Sequence, residues 1–141
     1  MGMGVMTYGP LSSGWLSGRA DPTKGHRPAG IGTRNFDLTV PANRAKLEAV
    51  QQLTQLAADA GMPLTHLALA FVRSHPGVTS VLIGPRKPEH LEDPLAGVEG
   101  ELGEDVLDRI DEVVPPGAEL NPANNYFAVP PAIAGKRRRG R

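Results

Sequence analysis

Cysteine is absent from the 141 residues. That excludes a disulfide framework, a thiolate metal site and a cysteine nucleophile, and it fits a reducing, cytoplasmic setting. Long apolar runs are absent too: none approaches the roughly 20 residues that span a bilayer. Met1 to Tyr8 has no basic region and is broken by Gly2 and Gly4, so no signal peptide is read there. A soluble chain without a membrane partner is expected. Tyrosine is confined to Tyr8 and Tyr126. Net charge is lacking as well, with fifteen Lys and Arg against fifteen Asp and Glu. The balance is uneven along the chain. Five of the fifteen cations stand in the last six residues, Lys136 to Arg141, which leaves an acidic body. Such a body argues against a nucleic-acid-binding face.

What is present reads as one globular α/β unit: 40% of the residues are apolar and 21% charged. Gly4 to Tyr8 is a short strand candidate that stops at Gly9-Pro10. Leu11 to Pro41 has no period and is rich in Gly, Pro and Ser, as expected of a surface flap. Asn43 is expected to cap a helix with Leu47, Val50, Leu53, Ala57 and Ala60 on one face. Gly61 follows as a left-handed terminator. A largely buried second helix is expected from Leu64 to His75. Val78 to Ile83 is an apolar, β-branched strand of the kind covered on both faces in a parallel sheet. Pro88 can open a third helix holding His90, Leu91 and Leu95. Glu104-Asp105 opens a fourth, with Val106, Ile110, Val113 and Val114 as its stripe. Alternation of strands and helices predicts parallel pairing. Two segments are expected, 1–117 as the folded portion and 118–141 as a tail, basic at its end.

In α/β sheets ligands bind outside the carboxyl ends of the strands, and both strand ends here carry unusual loops. The first is Tyr8-Gly9-Pro10-Leu11-Ser12-Ser13-Gly14, offering a flat ring, two glycines for close approach and two hydroxyls. The second is Gly84-Pro85-Arg86-Lys87, two cations before a helix whose first N–H groups could meet an anion. Cations at a helix N-terminus oppose its dipole, a conflict that a bound phosphate would remove. The plainer readings are a packing ring at Tyr8, turn chemistry at Ser12-Ser13 and a solvated pair at Arg86-Lys87.

Together these segments resemble the aldo-keto reductase family. Tyr8-Gly-Pro-Leu-Ser-Ser-Gly-Trp-Leu-Ser-Gly-Arg19 is similar to the segment after that family's seventh barrel strand, and Ile83-Gly-Pro-Arg-Lys-Pro-Glu-His-Leu-Glu-Asp93 to the segment after its eighth. The helix starting at Leu64 and the segment Val106 to Gly117 also look familial. The resemblance covers roughly residues 2 to 122. It implies the carboxyl-terminal part of a (β/α)₈ TIM barrel, incomplete here, with two parallel strands and flanking helices. It further implies NADP(H) as cofactor. By position, Tyr8 would stack on the nicotinamide, and Gly9, Leu11 and Ser13 would line the pyrophosphate path. Arg86, Lys87 and His90 would surround the 2′-phosphate and adenine, with Asp93 near the adenine edge. Lys87 and Pro94 depart from the family's common Ser or Thr and Asn.

The family's catalytic Asp, Tyr, Lys and His find no matching segment, so no catalytic residue is assigned; His26, His66, His75 and Tyr126 are given no such role. The expected function is therefore the cofactor-binding portion of an NADP(H)-dependent oxidoreductase that reduces a carbonyl by hydride transfer, with a small carbonyl substrate only if the barrel is completed. No metal is implied. An isolated fragment of this kind, with two open strand edges, is expected to be poorly stable. Two other classes compete. One is a non-catalytic remnant or partner-dependent nucleotide-binding module. The other rests on the basic tail as a polyanion contact, against the simpler reading of a solvated end.

Overall fold

The computed structural model describes residues 3–18, 33–85 and 87–122. Expectations placed on His26, Arg86, Tyr126 and the basic cluster lie outside the described residues. Two strands, β1 (Met6–Tyr8) and β2 (Ser80–Leu82), pair in parallel, with Tyr8 opposite Leu82. The Val5 carbonyl continues the ladder by accepting from Thr79 and Ser80 N–H groups (2.9 and 3.2 Å), and Thr79 Oγ1 accepts from Val5 N–H (3.1 Å). Four helices follow the chain order expected: α1 (Pro41–Asp59), α2 (Leu64–Arg73), α3 (Glu89–Ala96) and α4 (Glu104–Val113).

The core forms where the apolar stripes of α1, α2 and α4 meet. Leu56, Ala57, Leu64, Leu67 and Ile110 are buried together, with Leu16, Val50, Leu53 and Val106 packed around them. At 3.6 residues per turn the spacing of these positions places each stripe on one side of its helix. Gly61 has φ +70, the left-handed terminator predicted after α1. Asp59 at the end of α1 accepts from Gln55 (2.8 Å) and from Arg109 of α4 (3.0 Å). These donors, Gln55 first and Arg109 next, hold its carboxyl below the ordinary carboxylate range.

Three expectations need correction. Asn43 does not cap α1. Val40 stands at the N-cap in an extended conformation and Pro41 opens the helix, where a missing N–H costs nothing. Asn43 is instead fully buried: its Nδ2 donates to the Asp37 carbonyl (2.9 Å), and its Oδ1 accepts from Asn121 Nδ2 (2.8 Å). Second, the two ends of the irregular 11–41 segment are core rather than flap. Trp15 and Phe36, 2% and 1% exposed, stack with ring centroids 4.6 Å apart. Third, β2 is not covered on both faces, since Leu82 is 50% exposed and Met6 on β1 is 69% exposed. An apolar run determines a need for cover, but it does not say which segment supplies it.

Candidate functional site

Parallel pairing fixes the geometry of the site. Because Tyr8 and Leu82 are register partners, the loops that leave β1 and β2 start side by side at the carboxyl end of the sheet. Tyr8 is 75% exposed, a free ring at the mouth of the first loop. The backbone then turns through a run of left-handed residues: Gly9 at φ +65, Ser12 at 48, Ser13 at 56 and Gly14 at 99. Glycine takes this conformation freely, but each serine pays about 1–2 kcal/mol for it. Two adjacent strained serines persist because the loop is tied internally. Ser12 N–H donates to Gly9 O (2.9 Å), Gly14 N–H to Leu11 O (2.9 Å), and Ser17 Oγ to Gly14 O (2.7 Å). The Ser13 N–H takes part in none of these bonds, and Ser13 is exposed. Stored backbone strain of this kind clusters where a chain must present groups to a ligand.

Behind the loop, Trp15 anchors it in the core, and Lys46 Nζ of α1 sits 5.9 Å from the Trp15 ring centroid. Partial burial lowers the Lys46 pKa, against an opposing pull from Glu119. The buried Trp15 Nε1 has no hydrogen-bond acceptor among the described residues.

The second loop differs from expectation at its helix. Among the first-turn amides of α3, those of His90, Leu91 and Glu92 already donate, to Lys87 O (3.0 Å) and Pro88 O (2.8 and 3.2 Å). They are therefore not free for an anion, and Glu89 and Glu92 in the same turn already complement the helix dipole. Side-chain charge stands beside these amides. Lys87 Nζ lies 3.7 Å from Glu89 Oε1 with both side chains well exposed. Such a pair contributes about 0–1 kcal/mol and releases easily. His90 is half-buried.

Asp93 sits at the far end of α3 and is drawn toward α2. His66 Nε2 lies 2.8 Å from the Asp93 carbonyl and 3.3 Å from its Oδ1. Both neighbours accept, so Nε2 must carry the hydrogen. Seven residues on, Arg73 donates to the carbonyls of Val98 and Gly100. From the sequence alone His66 is one polar residue in a buried helix. The available signal was spacing: His66 and Arg73 stand two turns apart, polar positions on one side of an apolar helix.

A groove of about 310 Å³ between α1 and α4 is lined by Gln52, Gln55, Leu56, Arg109, Glu112 and Val113, and shares no residue with these loops. Among the described residues no group of three His, Asp or Glu could hold a metal ion, and no helix is long and apolar enough to cross a membrane.

The family model for the aldo/keto reductase family matches residues 1–115. The chain belongs to the aldo/keto reductase family. It is 32% identical over 120 residues to an uncharacterized oxidoreductase YrpG of Bacillus subtilis, covering 84% of this chain and 35% of that protein. It is 28% identical over 118 residues to a putative voltage-gated potassium channel subunit beta of Schizosaccharomyces pombe, covering 80% and 34%. Protein tas of Escherichia coli is 32% identical over 113 residues, covering 79% and 32%. The chain thus spans about a third of the length of the curated relatives it matches. Aldo/keto reductase membership implies a (β/α)₈ barrel; the described residues form two parallel strands and four helices that do not close into one.

Proposed function

We propose that this chain is the NADP(H)-binding, carboxyl-terminal portion of an aldo/keto reductase, its two strands corresponding to the last two of the barrel. One observation carries the reading: in a chain of this family, the parallel register of Tyr8 with Leu82 brings the strained Gly9–Gly14 loop and the start of the loop that leaves β2 to one end of the sheet. The residues fit the group. Tyr8 offers an exposed ring for the nicotinamide, and Gly9, Leu11 and Ser13 offer backbone along the pyrophosphate. Arg86, Lys87 and His90 offer positive charge and hydrogen bonds for the 2′-phosphate and adenine, with Asp93 at the adenine edge. The cofactor supplies a hydride to a carbonyl carbon.

On this reading the chain's own residues bind and orient; the groups that move the proton belong to segments this chain does not match. Several cations around one phosphate favour NADP(H) over NAD(H), since the latter has only a hydroxyl there. Lys87 releases Glu89 on meeting the phosphate, because an exposed pair is weaker than a charge-assisted contact to a dianion.

Fluorescence titration with NADPH and NADH tests the proposal. Arg86→Ala should weaken NADPH binding about 10- to 100-fold, the loss of a hydrogen bond to a charged group at roughly 1.5–3 kcal/mol. NADH binding should change little. Equal loss for both cofactors, or no loss, contradicts the clamp. A second reading, a nucleotide-binding module that needs strands supplied by another polypeptide, is favoured by the exposed faces of β1 and β2. Binding that appears only when those strands are supplied would select it.

A further inference from the structure

Helix α3 is a weak element on its own. It has eight residues, and Pro94 inside it removes one amide from the ladder. Its apolar burial is small: Pro94 is its one buried residue, and Leu95 is 51% exposed. Carboxylates at Glu89, Glu92 and Asp93 leave it without a cation in its last turn. What fixes it is polar and comes from α2. The last four carbonyls of a helix lack intrahelical donors, and the Asp93 carbonyl is one of these. His66 Nε2 supplies the donor at 2.8 Å and also lies 3.3 Å from the Asp93 carboxylate. The imidazole is held in turn by close packing, because a Cβ on Gly97 would come 2.3 Å from His66 Cγ. Gly97 therefore leaves the room that the ring occupies beside the end of α3. Arg73 holds the following turn through the Val98 and Gly100 carbonyls.

We propose that His66 is a positioning residue for the nucleotide clamp: by capping the carboxyl end of α3 from α2, it sets the axial position and rotation of the helix that presents Lys87 and His90. The proposal rests on the reading that the start of α3 grips the 2′-phosphate. His90 stands three residues before Asp93, so the two are neighbours on the helix surface. A rotation freed at Asp93 is therefore felt at His90 and, one turn earlier, at Lys87.

Hydrogen exchange by mass spectrometry on the full chain, paired with NADPH and NADH titrations, tests it. His66→Leu keeps the bulk and removes the donor. It should speed exchange across residues 89–96 while α1 and α4 keep their protection, and lower the NADPH-over-NADH preference about tenfold, the upper range for one hydrogen bond. His66→Gln returns an N–H donor and should restore both readouts to within about twofold of the parent, again by the size of that one bond. Unchanged exchange in α3 overturns the proposal, as does loosening without a change of preference. So does loss of protection throughout α1 and α4, which would make His66 a general stability residue. A parent chain that fails to bind NADPH refutes the clamp itself, and the positioning role falls with it. Faster α3 exchange in His66→Leu would then still mark a purely structural cap.

Discussion

Phe36→Ala should cost about 3–5 kcal/mol of folding stability, the usual range for deleting a buried aromatic ring. Phe36 is 1% exposed and stacks at 4.6 Å and 25° on Trp15, itself 2% exposed. Removing the ring takes away its own burial and the pair's additional 0.5–1.5 kcal/mol or so of ring–ring contact. It also leaves a cavity against the Trp15 ring. A whole domain is stable by only about 5–15 kcal/mol, so the loss is a large share of the total. The chain's one tryptophan reports the event directly. Urea unfolding followed by Trp15 emission should show a lower midpoint and, in the folded baseline, emission shifted to longer wavelength. Trp15 immediately follows the strained Ser12–Gly14 turn, so the change should also relax that loop. An unchanged midpoint would mean that the stack carries no stability.

Gly97→Ala should cost about 1–3 kcal/mol, the range for forcing volume into a packed site. Gly97 has φ −92, an ordinary conformation, so its glycine is required by space rather than by backbone freedom. An added Cβ would lie 2.3, 2.6 and 2.7 Å from His66 Cγ, Cδ2 and Nδ1. These atoms sit at the root and middle of the ring, so a small rotation cannot clear them. The imidazole must swing away and leave the Asp93 carbonyl. Gly61 is the contrasting case: at φ +70 with open space around it, an alanine there meets strain only in the backbone. A double-mutant cycle isolates the mechanism. With His66→Ala already present, Gly97→Ala should become nearly neutral, giving a coupling of about 1–3 kcal/mol by urea unfolding, within the range for residues in contact. Additive costs would show that Gly97 is needed for some reason other than the ring.

Periodicity in the sequence carried much of the fold. The order of two strands and four helices, the parallel pairing and the Gly61 terminator could all be read from it, because each depends on local pattern or on a single residue's backbone preference. Parts that depend on distant segments could not. Asn43 has the chemistry of a cap, and only the approach of Asn121, 78 positions on, makes it a buried bridge. Trp15 and Phe36 stand in a stretch without period, and their stacking joins positions 21 residues apart. For the site, the two loops at the strand ends were visible as unusual compositions. The left-handed Ser12 and Ser13 were not, since serine carries no signal for that conformation. The closed amides at the start of α3 could not be seen either, because Lys87 and Pro88 turn into the helix and consume the donors. The aldo/keto reductase resemblance, carried by four linked segments, agrees with the family match over residues 1–115.

In the proposed function the loops after β1 and β2 form one groove for one cofactor. Amide chemical shifts of the ¹⁵N-labelled chain, followed during titration with NADPH, test this most directly. Amides in Gly9–Gly14 and in Lys87–Asp93 should shift together along a single NADPH binding curve, while NADH, which keeps the adenine but lacks the 2′-phosphate, should reproduce the shifts of the first set and leave Lys87 nearly still. Shifts confined to one loop, or two loops following different curves, would contradict it.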